Sequence, residues 1–207
     1  YFASIRSAAV TPRMFTYELM AKARKDRRRI VLAEGEEPRI LKAAHYLIER
    51  DLMDLILIGR REAIERVVRD QGIEINLDLL RTVDPSMSPD FERYAQAYRG
   101  LRAEKGVSLE MARDLMLDVG YFATMMVHLG DADGMVSGAI HTTQETIRPA
   151  LQCIGTREGC SIVSSVFFMC LEDGVLVYGD CAINPEPSPQ QLAEIAVSSA
   201  DTAQHFG

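Results

Sequence analysis

The chain has 207 residues, and its 23 Lys and Arg stand against 30 Asp and Glu for a net charge of −7, so no broad cationic field exists to hold a nucleic-acid backbone or an anionic membrane, and an anionic ligand must be gripped by a few placed arginines. The length suits one ordinary domain, or one domain and a piece of a second, and near-average charged and apolar content excludes wholesale disorder and fibrous architectures. No apolar run is long enough to span a bilayer, and the N-terminus lacks the basic-then-apolar layout of a signal peptide, so a soluble, cytoplasmic protein is expected.

Residues 1–11 show no hydrophobic periodicity and start at Tyr1 instead of a methionine, which reads as a linker or extension cut from something longer. Thr11 then offers an N-cap with Pro12 in the first helical position, and Phe15, Leu19, Met20 and Ala23 recur at helical spacing, predicting a helix over about 12–25. Arg27, Arg28 and Arg29 read as a solvated helix end. "RIVLAE" (29–34) is a short strand, "EGEEPR" a loop, and "RILKAAHYLIER" a helix with Ile40, Leu41, Ala44, Leu47 and Ile48 on one face.

The alternation repeats. "MDLILIG" is a buried strand, 61–71 an amphipathic helix closed by Gly72, and "LLRTVD" a third strand, an order that implies a parallel sheet with helices on both faces. Two helices are predicted next, over about 88–104 and 108–129, followed by the strand "DGMVSG". Pro149 constrains what comes after, because proline inside a helix loses a hydrogen bond and crowds the carbonyl four residues back. A helix capped by Thr146 would keep Pro149, and with it Arg148, in the first turn.

Beyond that helix, "SIVSSVFFMCL" and "GVLVYGDCAI" flank the turn "EDG" as a β-hairpin, and Ser188, Pro189 and Gln191 open a last helix through a capping box. The predicted organisation is therefore a linker over 1–11, a first α/β domain over 12–150, and the beginning of a second over 151–207. Cys153, Cys160, Cys170 and Cys181 lack zinc-site spacing and read as reduced core residues, so no metal is expected.

The stretch 133–151, "DGMVSGAIHTTQETIRPAL", holds the sharpest chemical signal. Free amides at a helix start, the hydroxyls of Thr142, Thr143 and Thr146, and the guanidinium of Arg148 would together cradle a phosphate or carboxylate, with Ser137 and Gly138 letting the backbone approach. The bland reading pairs Arg148 with Glu145 and leaves the threonines as caps. His141 is either a general base or a neutral hydrogen-bonding side chain. "AEGEEPRILKA" puts Gly35 and Arg39 at the carboxyl end of the first strand, as a ligand contact or as a surface pair of Arg39 with Glu36 or Glu37. "YRGLRAEKGVS" offers Arg99, Arg102 and Lys105 around Gly106, where helix-end cations occur for dipole reasons alone. Asp180 and Asn184 orient a ligand or shape a turn.

Four stretches in matching order, "RIVLAEGEEPRILKAA", "DGMVSGAIHTTQETIRPALQ", "SIVSSVFFM" and "YGDCAINPEPSPQQLAEIAVSSADTA", resemble the catalytic domain of bacterial phosphate acetyltransferases (phosphotransacetylases), over about Thr11 to Gly207. The resemblance implies a three-layer α/β/α fold with a mainly parallel sheet, in an isocitrate dehydrogenase-like two-domain architecture whose second domain is only partly present. It implies reversible acetyl transfer between acetyl phosphate and coenzyme A, with coenzyme A or acetyl-CoA as substrate, no bound cofactor and no metal. Arg102 and Arg148 match the two active-site arginines of that family, and Ser137, Gly138, His141, Thr142, Thr143, Thr146 and Arg39 are the expected substrate contacts. A Ser-Arg pair and an aspartate that help deprotonate the thiol are expected beyond Gly207, so the 207 residues alone are expected to be inactive or nearly so.

The expected partners are acetyl phosphate, coenzyme A and phosphate, with no nucleic acid and no membrane, in a homo-oligomer of two or more chains. Three rivals stay open: an acetyl-CoA-sensing regulatory domain of a malic enzyme, a phosphate butyryltransferase, and a non-catalytic module that binds coenzyme A or another anion.

Overall fold

The computed structural model of the chain describes residues 11–172 and 174–207; apart from Thr11, the expected N-terminal linker lies outside them. Four strands, β1 (Arg29–Leu32), β2 (Asp54–Ile58), β3 (Arg81–Val83) and β4 (Gly134–Val136), form one sheet in the order β3-β2-β1-β4. Every pairing in it is parallel, with Val31 opposite both Ile56 and Met135. The two-residue period of a strand sends β2 side chains alternately to either face, and both faces are buried. Leu55 and Leu57 join Leu41 and Ala44 of α2 (Pro38–Glu49) and Ile64 of α3 (Arg61–Gln71). Ile56 and Ile58 join α4 (Phe91–Leu101), α5 (Leu109–Met116), α6 (Val119–His128) and α7 (Thr143–Cys153) through Tyr94, Tyr98, Met116, Phe122, Met126 and Cys153. These are the three α/β/α layers.

The expected helix over 108–129 is two helices. Asp118 interrupts it: its carboxylate accepts the N–H groups of Gly120 and Tyr121 at 2.9 and 3.0 Å, a cap that starts α6 afresh and outweighs the continuous apolar pattern. The helix expected over 88–104 shortens to α4, because Pro85–Met87 forms a separate 3-10 turn and Arg102 passes into another at Ala103–Lys105. Arg27, Arg28 and Arg29 are ion-paired and not merely solvated: Arg27 meets Asp51 and Asp54, Arg28 meets Asp26, and Arg29 meets Asp133 at the start of β4.

The described residues divide into two compact units, 23–155 and a second made of 11–22 with 156–207, so the boundary expected at 150/151 would cut α7. In the second unit β5 (Val166–Leu171) and β6 (Gly174–Gly179) form the expected antiparallel hairpin, and α8 (Pro189–Phe206) carries the Ser188–Gln191 capping box. A lone hairpin and helix bury little. Here α1 (Pro12–Lys25), which follows the sequence expectation in its limits, supplies a third element: Phe15 stacks on Phe168 at 5.2 Å, Phe168 on Phe206 at 4.9 Å, and Lys22 Nζ donates to the carbonyls of His205 and Phe206. Of the four free cysteines Cys153 is buried, but Cys160 and Cys181 are half-buried and Cys170 is exposed, contrary to a core role: Cys170 shares a strand face with Phe168 yet stands opposite Val175 next to the hairpin turn, past the aromatic contacts that cover Phe168.

Candidate active site

The chain runs from β1 outward to β2 and β3, then returns to the other side of β1 as β4. Loops leaving the carboxyl ends of β1 and β4 therefore diverge, and in open α/β sheets that divergence is where ligands bind. Both loops are joined here by one side chain. Glu34, immediately after β1, is 4% exposed, and its carboxylate accepts from the backbone N–H groups of Gly138, Ala139, Ile140 and His141 at 2.7 to 3.2 Å and from His141 Nδ1 at 2.7 Å. Burial alone would raise its pKa, but these donors outweigh burial and hold it at about 2. Gly138 makes the nest possible, since its φ of +106° is rarely open to a side chain. His141 thus donates through Nδ1 to the Glu34 carboxylate, which ties its ring to the loop. Arg39 binds Glu37 and also the Ala139 carbonyl, so it braces the same loop from outside.

The expected helix start at Thr146 is replaced by one at Thr142. Thr142 Oγ1 accepts the Glu145 N–H while the Glu145 carboxylate accepts the Thr142 N–H, a capping box that starts α7 four residues earlier than the cap at Thr146 that Pro149 would favour. Pro149 lies within the helix and buried, and Arg148 falls in the second turn instead of the first. This corrects the cradle. The amides of residues 138–141 are filled by Glu34 and that of Glu145 by the capping box, so among the described residues the helix start keeps only the N–H groups of Thr143 and Gln144 for an incoming anion. Thr143 is exposed on the first turn, Ser137 is half-buried, and Thr146 Oγ1 is buried without a partner among the described residues, 3.6 Å from where a Cβ on Gly138 would sit.

The pairing of Arg148 with Glu145 is also overturned, since that carboxylate is committed to the cap. Arg148 and Arg102 form no ion pair and no side-chain hydrogen bond among the described residues, whereas Arg27, Arg29, Arg39, Arg93 and Arg113 all do. The two bear on one cluster. Tyr98 of α4 and Tyr121 of α6 meet edge to face at 5.6 Å, and both hydroxyls donate to Gln152 Oε1 of α7, at 2.7 and 2.9 Å. Burial raises Tyr98 to about 12 and Cys153 to about 12, with the Arg102 charge pulling both back; burial likewise raises Tyr121, against the Arg148 charge. The charges of Arg102 and Arg148 thus both bear on one tyrosine platform, built where α4, α6 and α7 meet.

Two uncommitted arginines at a shared platform are the equipment of a phosphate- or carboxylate-handling site. The family model described as phosphate acetyl/butaryl transferase matches residues 14–207. The chain belongs to this family. It is 58% identical over its whole length to a phosphate acetyltransferase of Synechocystis sp., of which it covers 30%, and 54% identical over 98% of its length to that of Nitratidesulfovibrio vulgaris, of which it covers 28%. Among solved structures it is similar to a phosphotransacetylase from Streptococcus pyogenes (TM-score 0.87, 38% identity, 95% of this chain and 60% of that one) and to the EutD phosphotransacetylase from Staphylococcus aureus (0.85, 39%, 93% and 58%). The chain spans about a third of the length of the first curated relatives and under two thirds of the solved ones.

For a member of the phosphate acetyl/butaryl transferase family, the site contains residues that sequence reasoning passed over. Glu34 reads as one acid among several in "AEGEEP", although an acid directly after a buried strand, at the ligand end of a parallel sheet, is a detectable signal. Tyr98, Tyr121 and Gln152 carry none, because each sits in ordinary helical spacing. Asp180 and Asn184 make the turn: the Asp180 carboxylate accepts from Ser165, Ile183 and Asn184, and Asn184 Nδ2 donates to the Val163 carbonyl. Among the described residues no cluster of His, Cys, Asp or Glu is arranged to hold a metal, and no helix is long and apolar enough to cross a membrane.

Proposed function

We propose that the protein carrying this chain is a phosphate acetyltransferase, which moves an acetyl group reversibly between acetyl phosphate and coenzyme A. The observation that carries this reading is that Arg102 and Arg148, which have no carboxylate within ion-pair distance among the described residues, both bear on the one cluster of Tyr98, Tyr121 and Gln152. In the reaction the coenzyme A thiolate attacks the acyl carbonyl, a C–S bond forms, the C–O bond to phosphorus breaks, and inorganic phosphate leaves with the electron pair. Guanidinium groups suit that charge flow, because they neutralise the phosphoryl oxygens on approach and grip the dianion as it departs. Ser137, Gly138, His141, Thr142, Thr143, Thr146 and Arg39 line or brace the loop beside them as the wall that the substrate meets.

The acetyl preference rests on the names of the relatives. In this reading the substrates are small molecules only, neither a metal nor a bound cofactor takes part, and the protein works in the cytoplasm as a homo-oligomer. The exposed apolar side chains Phe167, Leu171, Leu176 and Tyr178 on the β-hairpin support assembly.

The test is thioester formation from acetyl phosphate and coenzyme A, followed for the native protein and for Arg148→Ala and Arg102→Ala. Each substitution is expected to lower kcat by roughly a hundredfold or more. Undiminished turnover in both variants would overturn the site, tight coenzyme A binding without turnover in the native protein would favour the sensing or binding module, and preference for butyryl phosphate would reassign the acyl group.

A further inference from the structure

Gln152 lies one helical turn from Arg148 on α7, so the two side chains share a face. The orientation of its amide follows from counting protons. Tyr98 is 2% exposed, and its hydroxyl meets Gln152 at 2.7 Å, with the Tyr121 hydroxyl as its other polar neighbour. Were the Gln152 nitrogen turned inward, its N–H groups and the Tyr98 proton would compete for the two phenol oxygens and only the Tyr121 oxygen would be left to the Tyr98 proton, a poorer arrangement than one amide oxygen accepting from both phenols. A spacing of 2.7 Å is also typical of O–H···O and short for N–H···O. The oxygen therefore faces the two phenols, and because burial raises both tyrosines they remain protonated donors at neutral pH.

That leaves Nε2. It has no acceptor among the described residues and is not a buried unpaired atom, so it reaches solvent with both protons uncommitted. A half-buried amide locked by two phenols loses little freedom on meeting a ligand, which is the condition for an effective contact.

We propose that Gln152 is a substrate-contacting residue whose outward N–H donates to a phosphoryl oxygen of the anion held by Arg148 and Arg102, and that Tyr98 and Tyr121 are positioning residues that aim it. This rests on the acetyltransferase reading above. The phosphoryl group belongs either to the acyl phosphate or to coenzyme A, and separate kcat/KM values for the two substrates tell which.

The experiment is steady-state kinetics on the native protein with Q152E, Q152M, Y98F and the Y98F/Q152M pair, each checked for an unchanged unfolding midpoint. Glu keeps an acceptor for both phenols but replaces the outward donor by negative charge. If Gln152 only satisfied the tyrosines, Q152E would be the gentle change; with the proposed contact it is the harsher one, lowering kcat/KM for one phosphoryl substrate roughly tenfold or more. Y98F is expected to cost a few-fold when Gln152 is present and nothing further when Met replaces it, since it acts through Gln152. Wild-type kinetics in Q152E, or equal Y98F losses in both backgrounds, would overturn the proposal, and if Q152M fails to fold the Q152E result decides alone. Arg148→Ala separates the two readings: activity that survives it removes the acetyltransferase site itself, whereas activity lost there but kept in Q152E removes only the role of Gln152.

Discussion

Glu34 shows how one side chain can set the behaviour of a loop a hundred residues away. Its carboxyl falls from an ordinary 4.5 to about 2 on folding. A group whose pKa is depressed in the folded state stabilises it fully above the unfolded value, and that stability fades as pH drops from about 4.5 towards 2. The shift corresponds to about 3 kcal/mol, a conversion justified by the burial of the carboxylate. Glu34→Gln turns an N–H towards a ring of N–H groups and is expected to destabilise by roughly 2 to 4 kcal/mol at pH 7. Urea denaturation of both proteins at pH 7, 5 and 3 checks this: the gap between them should close in acid, and a gap independent of pH would refute the assignment. Gly35 next to it is held for a different reason, since a Cβ there would stand 2.6 Å from the Ile58 carbonyl oxygen. The Ile58 backbone and the Leu57 Cβ at 3.1 Å are fixed parts of β2 that cannot yield, so Gly35→Ala is expected to lower the unfolding free energy by roughly 1 to 3 kcal/mol in the same denaturation assay.

At the scale of elements, caps decide where helices begin, and they explain both what was legible and what was not. The βαβ alternation, α1, the hairpin and the Ser188 cap follow from period and turn residues that stand in a single stretch of sequence. The break at Asp118 and the start of α7 do not, because in each a polar cap competes with a second rule and the balance is set by tertiary burial. Asp118 competes with an apolar run that itself favours continuity, and Thr142 with a proline whose ring is buried beside Gly120. Arg102 and Arg148 were legible by resemblance, whereas their freedom from carboxylates was not, since "ETIR" places Glu145 within easy reach of Arg148. Thr142→Ala removes one half of the box and is expected to cost about 1 kcal/mol of stability by thermal unfolding. It also frees the Glu145 carboxylate to approach Arg148. A rise in KM for acetyl phosphate larger than the stability loss explains would be the kinetic sign of that new pairing.

For the whole molecule, the strand order has a consequence in time. β1, β2 and β3 follow one another at short range with α2 and α3 between them, so their closure costs little chain entropy, whereas β4 must find β1 across about a hundred residues. The Glu34 nest spans that same late seam. Folding should therefore run as an early three-stranded half, with β4, the nest and α7 docking afterwards as one unit. In native-state hydrogen exchange the amides of Ala139, Ile140 and His141 are expected to open together with Met135 and Val136, at lower free energy than Ile56 and Leu57 of β2. Exchange of the nest amides as fast as free loops would break that link. A site assembled at the last seam to close is also the first to come apart, so mild stress would silence the protein while most of its sheet is still intact, and loss of activity would run ahead of loss of secondary structure.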